Sequence, residues 1–97
     1  MLPSDDLAIV PWYMSDLQYQ AFRESAIDRD DFFPTYLQWV DAAMEHEYQS
    51  GKRGIIITRI RMDFQDFQRW CIERGYQNDY RGRCTYAERR AQAILGS

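Results

Sequence analysis

The stretch Gly54-Ile55-Ile56-Ile57-Thr58-Arg59-Ile60-Arg61-Met62 decides the fold class. β-Branched residues fill it, and its second half alternates apolar with basic, the period of a half-buried strand. Ile56, Thr58, Ile60 and Met62 share one face, while Ile55, Ile57, Arg59 and Arg61 share the other. A lone strand leaves the backbone N–H and C=O groups of its ladder unpaired, which is costly once they are buried. The strand over 54–62 therefore needs a partner. The sequence offers residues 7–10, Leu7-Ala8-Ile9-Val10, or the same strand of a second subunit.

Helical patterns flank this strand on both sides. Upstream, Ser15 with Gln18 and Thr35 with Gln38 have capping-box spacing, in which two orphan backbone N–H groups are satisfied reciprocally. Leu17, Ala21, Phe22 and Ala26 are the expected buried face of the first helix. In the second, Leu37, Val40, Met44 and Tyr48 form one apolar stripe, widened by Tyr36, Trp39 and Ala43 and ended by Ser50-Gly51. Asp28-Arg29-Asp30-Asp31 reads as a solvated loop. Downstream, Asp63 caps a third helix over 64–74 that carries Phe64, Phe67, Trp70 and Cys71, and Gly75 stops it. Thr85 and Glu88 give another capping box, ahead of Tyr86, Ala87, Ala91, Ile94 and Leu95. Gly82 weakens a start one turn earlier at Tyr80. Trp39 and Trp70 are expected core anchors.

The expected architecture is α+β, about four helices on a small sheet containing strand 54–62. Residues 1–12 read as an N-terminal arm and 13–97 as one domain. At 97 residues the chain has room for one core without metals or disulfides. Hydrophobic residues at 45% and charged residues at 28% describe a folded globular chain, not a disordered one. No apolar run approaches a membrane span. Met1-Leu2-Pro3-Ser4-Asp5-Asp6 is acidic where a secretion signal is basic and then apolar. Two cysteines, Cys71 and Cys84, are too few for a disulfide scaffold, and with the single His46 they cannot complete a four-ligand zinc site. We expect a cytoplasmic protein with no membrane association, no metal and no cofactor.

Charge is unevenly distributed. Residues 1–50 hold ten acids and two bases, whereas residues 51–97 hold ten bases and five acids, and the net charge is −3. Nine of those ten bases are arginine, the cation suited to bidentate and stacked contacts with carboxylate or phosphate. The two halves either face each other or form separate surfaces. Arg59, Arg61, Arg69, Arg81 and Arg83, with Tyr76 and Tyr80 beside a polar loop, are the candidate interaction surface. Trp12 and Tyr13, at the end of the arm, are the next aromatic pair expected to be partly exposed.

Catalytic motifs are missing. His46 in Glu45-His46-Glu47 lies off the apolar stripe, and helix neighbours point in different directions, so it reads as a solvated face. Cys71 sits mid-helix among apolar residues, not at the cationic or helix N-terminal setting that activates a thiolate. The sequence has no G-x-S-x-G elbow, Gly-rich phosphate loop or H-E-x-x-H pattern.

Three local patterns, Pro34-Thr35-Tyr36-Leu37-Gln38-Trp39, Phe67-Gln68-Arg69-Trp70-Cys71-Ile72-Glu73-Arg74-Gly75 and Arg83-Cys84-Thr85-Tyr86-Ala87, follow one another with the Ile-rich strand between the first two. Over roughly residues 12–90 this resembles a group of small uncharacterised bacterial proteins of similar length. The resemblance implies a bacterial, cytosolic, stand-alone domain and supplies no activity, substrate or catalytic residue. From the residues themselves we expect a non-catalytic interaction module whose partner is itself or another protein. The alternatives are a nucleic-acid-binding protein that uses the arginine half, an acidic inhibitor or DNA mimic that uses the first half, and a small enzyme with carboxylate chemistry.

Overall fold

In the computed structural model, which describes residues 7–96 apart from the Leu95 side chain, the strand finds its partner within the chain. Strand β1 (Leu7–Trp12) pairs in parallel with β2 (Ile56–Arg61), in register from Leu7 opposite Ile56 to Trp12 opposite Arg61. Residues 1–6, the first half of the expected arm, lie outside the described range. Parallel neighbours need a long crossover. Here it consists of α1 (Asp16–Ser25), a 3-10 turn (Arg29–Asp31) and α2 (Tyr36–Lys52). After β2 come α3 (Phe64–Arg74) and α4 (Tyr80–Leu95), so the protein is α+β with four helices on a two-stranded sheet. Among the described residues, each strand keeps one edge with no strand beside it.

The helix boundaries follow from their caps. Ser15 accepts the Gln18 N–H, Thr35 and Gln38 complete their box, and Asp63 accepts the Asp66 N–H. Gly75 ends α3 at φ 76°, the left-handed conformation that glycine adopts without a Cβ penalty. Gln18 departs from expectation. Its Oε1 accepts the Phe64 N–H at 2.9 Å, so a side chain of α1 satisfies an orphan donor in the first turn of α3. The last helix also starts earlier than its sequence suggests. Asp79 caps it by accepting the Gly82 N–H at 2.7 Å, while Thr85 sits inside the helix and donates to the Arg81 carbonyl.

The buried faces of two helices agree only in part with those expected. In α1, Tyr19 and Phe22 are buried and Leu17 is 82% exposed. In α2, Tyr36 and Trp39 pack on the core and Ser50 is buried, while Leu37, Met44 and Tyr48 point outward. Large aromatic rings bury more area than Leu or Met, so the aromatic stripe takes the interior. Trp12 and Tyr13 are buried as well, contrary to the partly exposed pair expected at the end of the arm. The core runs from Tyr13, Tyr19 and Phe22 through Ile60, Met62 and Phe67 to Tyr86, Ala87 and Ala91; Ile94, one turn further, is exposed. Trp39 and Trp70 flank this core half-buried, Trp70 stacked on Tyr76 at 4.6 Å between centroids.

Gly82 fits the start of α4 because of space. A Cβ there would overlap the Gln77 carbonyl oxygen. In an unobstructed helix Gly→Ala stabilises by about 1 kcal/mol, whereas overpacking costs about 1–3 kcal/mol. Gly82→Ala is therefore expected to lower stability in urea unfolding, and a raised midpoint would show that the Gln77 turn yields freely.

Candidate functional site

The arginines expected to share a surface are dispersed. Arg59, on β2, makes a bidentate contact with Glu47 of α2 at 2.6 and 2.7 Å, and its guanidinium lies 3.9 Å over the Trp12 ring. Arg83 is buried at the start of α4. It holds both carboxylate oxygens of Asp28, at 2.9 and 2.7 Å, donates to Asn78 Oδ1 and stacks 4.6 Å over Phe32. Both pairs join the acidic half of the chain to the basic half. Arg61 and Arg69 meet Arg90 around a shallow polar groove that also contains Asp63 and Asp66. Asp66 sits between Arg69 at 3.8 Å and Arg90 at 3.5 Å and accepts the Tyr86 hydroxyl. Arg81 lies 5.7 Å over Tyr76, and Tyr80 is 73% exposed. Three arginines thus converge on one groove, two are committed to carboxylates, and one accompanies the tyrosine loop.

A cavity of about 380 Å³ lies along β1. Ile9, Val10 and Pro11 form one wall, Trp39 and His46 of α2 another, and Tyr80, Arg83 and Cys84 of α4 a third. Asp28, Asp31, Phe32 and Phe33 close the fourth side, with Tyr13 and Tyr19 also lining it. Local sequence accounts for each contribution. Pro11 leaves an edge strand with one N–H fewer. The 3-10 turn brings Asp28 and Asp31 together, and the Asp79 cap aims the first turn of α4 at them. Asp28 and Asp31, expected in a solvated loop, line this cavity instead. Their only local signal was an acidic run beside two phenylalanines.

Burial dominates the titration of this region. It raises the Tyr13 hydroxyl far above its ordinary value, with Arg83 opposing. The Cys84 thiol is pushed up by burial against its hydrogen bond to Tyr80 and the charge of Arg83, and Cys71 is raised by burial too. Thiolate nucleophiles require the opposite shift. Asp28 is held below the usual aspartate range, chiefly by the hydrogen bonds from Arg83. Among the described residues, no group of three or more His, Cys, Asp and Glu side chains is placed to hold a metal ion, and no helix is long and apolar enough to cross a membrane. Comparison with protein-family models, curated proteins and solved structures gives no match.

The Asp28–Arg83 pair fixes the 3-10 turn to α4, and its removal is measurable. Asp28→Asn leaves a guanidinium whose side chain is 7% exposed without its counter-charge, at an expected cost of about 3 kcal/mol. The pair also sets a pH dependence. Because Asp28 has a lower pKa folded than unfolded, its contribution is complete above the unfolded value of about 4 and is lost as pH falls through the folded one. Urea unfolding at a series of pH values should show a shallower acid loss for Asp28→Asn than for the parent, with the residual slope carried partly by Glu47, which Arg59 depresses in the same way. Equal slopes would mean that the pair contributes nothing.

Proposed function

We propose that the protein is a non-catalytic interaction module that associates with a second copy of itself through the outer face of α2. One observation carries this reading: Leu37, Met44 and Tyr48 are 73%, 53% and 62% exposed although they form a regular apolar stripe. Val40, half-buried, continues the stripe between them. Isolated exposed apolar residues need no explanation, but a contiguous patch marks an interaction surface. Spacings of three, four and four residues make the face of a helix that packs on another helix. A two-fold arrangement needs only this one patch, because each copy supplies the surface the other lacks. The upward shift of both thiols supports the non-catalytic part. Free Cys71 and Cys84 fit a reducing compartment and support a cytoplasmic location.

Nucleic-acid binding has less behind it. Arg59 and Arg83 are engaged by Glu47 and Asp28, and the groove that gathers Arg61, Arg69 and Arg90 carries Asp63 and Asp66 as well. The acidic-mimic reading loses Glu47 and Asp28 to the same pairs.

Light scattering from micromolar to millimolar concentration should show mass rising from monomer toward dimer. Leu37→Glu with Met44→Glu should hold the chain monomeric with an unchanged melting temperature, since neither side chain belongs to the core. A monomer at every concentration would sink the proposal. A dimer that survives both substitutions would move the contact elsewhere, the free edges of the sheet being the next place to look.

A further inference from the structure

The cleft along β1 has a chemistry that self-association leaves unused. Its volume of about 380 Å³ falls within the range of small-molecule sites, roughly 300–1,000 Å³. Aromatic side chains dominate its walls, Phe32, Phe33, Trp39 and Tyr80 among them. Two carboxylates, Asp28 and Asp31, stand against one guanidinium, Arg83, leaving one negative charge unmatched. Asp28 and Arg83 neutralise each other through their bidentate contact, and Asp31 takes part in none of the ion pairs among the described residues. Arg83 over Phe32 already shows a cation resting on an aromatic wall of this cleft.

Tyr13 supplies an independent observation. Its side chain lines the cleft and is only 5% exposed, yet its hydroxyl makes no hydrogen bond to any described residue. That hydroxyl lies within electrostatic reach of Asp28, Arg83 and Cys84, all of which line the same cavity. That hydroxyl is not among the fully enclosed polar atoms left without a partner, so it reaches open space in the cleft, where a bound molecule can supply one.

From this geometry we infer that the cleft between β1, α2 and the start of α4 binds a small organic cation, an ammonium or guanidinium on a short apolar body. Ring faces attract the cation, Asp31 supplies the counter-charge, and the Tyr13 hydroxyl accepts an N–H. An anion would meet Asp28 and Asp31 at close range, while the terminal nitrogens of Arg83 are already held by Asp28 and Asn78.

Free amines and lysine side chains share this chemistry, so benzylammonium and N-acetyl-lysine amide serve as the two cationic probes, with benzyl alcohol and benzoate as neutral and anionic comparators. Amide chemical shifts of the full chain are followed during titration. Benzylammonium or the lysine amide should shift residues 28–33 and 80–84 saturably, and the tighter of the two identifies the source. Benzyl alcohol should bind about tenfold more weakly than benzylammonium, and benzoate not at all. Asp31→Asn, at an exposed position, should weaken the cation about two- to fivefold without altering benzyl alcohol binding or the melting temperature. Tyr13→Phe, which keeps the ring, should weaken the cation and not the alcohol. Equal affinity for cation and alcohol, tighter binding of benzoate, or no saturable shift in these segments would each overturn the assignment.

Discussion

Four aromatic rings close on Tyr13, those of Tyr19, Phe22, Phe32 and Trp39, with centroids 5.0–6.4 Å away. They come from α1, the residue after the 3-10 turn and α2, while Tyr13 itself follows directly on β1. Its carbonyl accepts the Tyr36 hydroxyl at 2.8 Å, which ties the same point to the first turn of α2. A two-stranded sheet has too little surface to make a core alone. The sheet of this protein is stable only because the helices that connect its strands bring their rings to the end of β1. Each aromatic pair contributes about 0.5–1.5 kcal/mol beyond its buried area, so this cluster is where the crossover and the sheet become one structure.

Much of the backbone was legible because caps and stops are local signals. Ser15, Thr35, Asp63 and Gly75 act within three or four residues of themselves, and each marks the boundary its sequence implies. The faces of α1 and α2 were legible only in part, for a physical reason. Leu37, Val40, Met44 and Tyr48 are spaced by three, four and four residues and Tyr36, Trp39, Ala43 and Ser50 by three, four and seven, both of them helical periods, so periodicity gives two stripes and cannot rank them. The ranking comes from ring area and from partners distant in the chain. Thr85 misled for a related reason. A box needs a helix that begins there, and Asp79 begins it six residues earlier.

The charge pattern was legible as a total but not as a geometry. Arg83 reaches Asp28 across 55 positions and Arg59 reaches Glu47 across 12, distances over which composition says only that opposite charges exist. The same holds for the cleft. Asp28 and Asp31 gain their meaning from Tyr13, Trp39 and Cys84, which the sequence scatters over most of the chain. Two ion pairs, Arg59–Glu47 and Arg83–Asp28, join the acidic half of the chain to the basic half.

The parallel register sets the order in which this chain can complete itself. Leu7 pairs with Ile56, and closing a loop of about 49 residues costs roughly 3 kcal/mol of chain entropy before any ladder bond is gained. During synthesis from the N-terminus, β1 is the first described element to appear. It has no strand to pair with until the ribosome has passed Arg61. Throughout that interval its apolar Leu7, Ile9 and Val10 remain without the neighbour that later pairs with them. Pro11, which has no N–H to offer, blunts an edge that is otherwise open to the wrong strand for half the length of the protein.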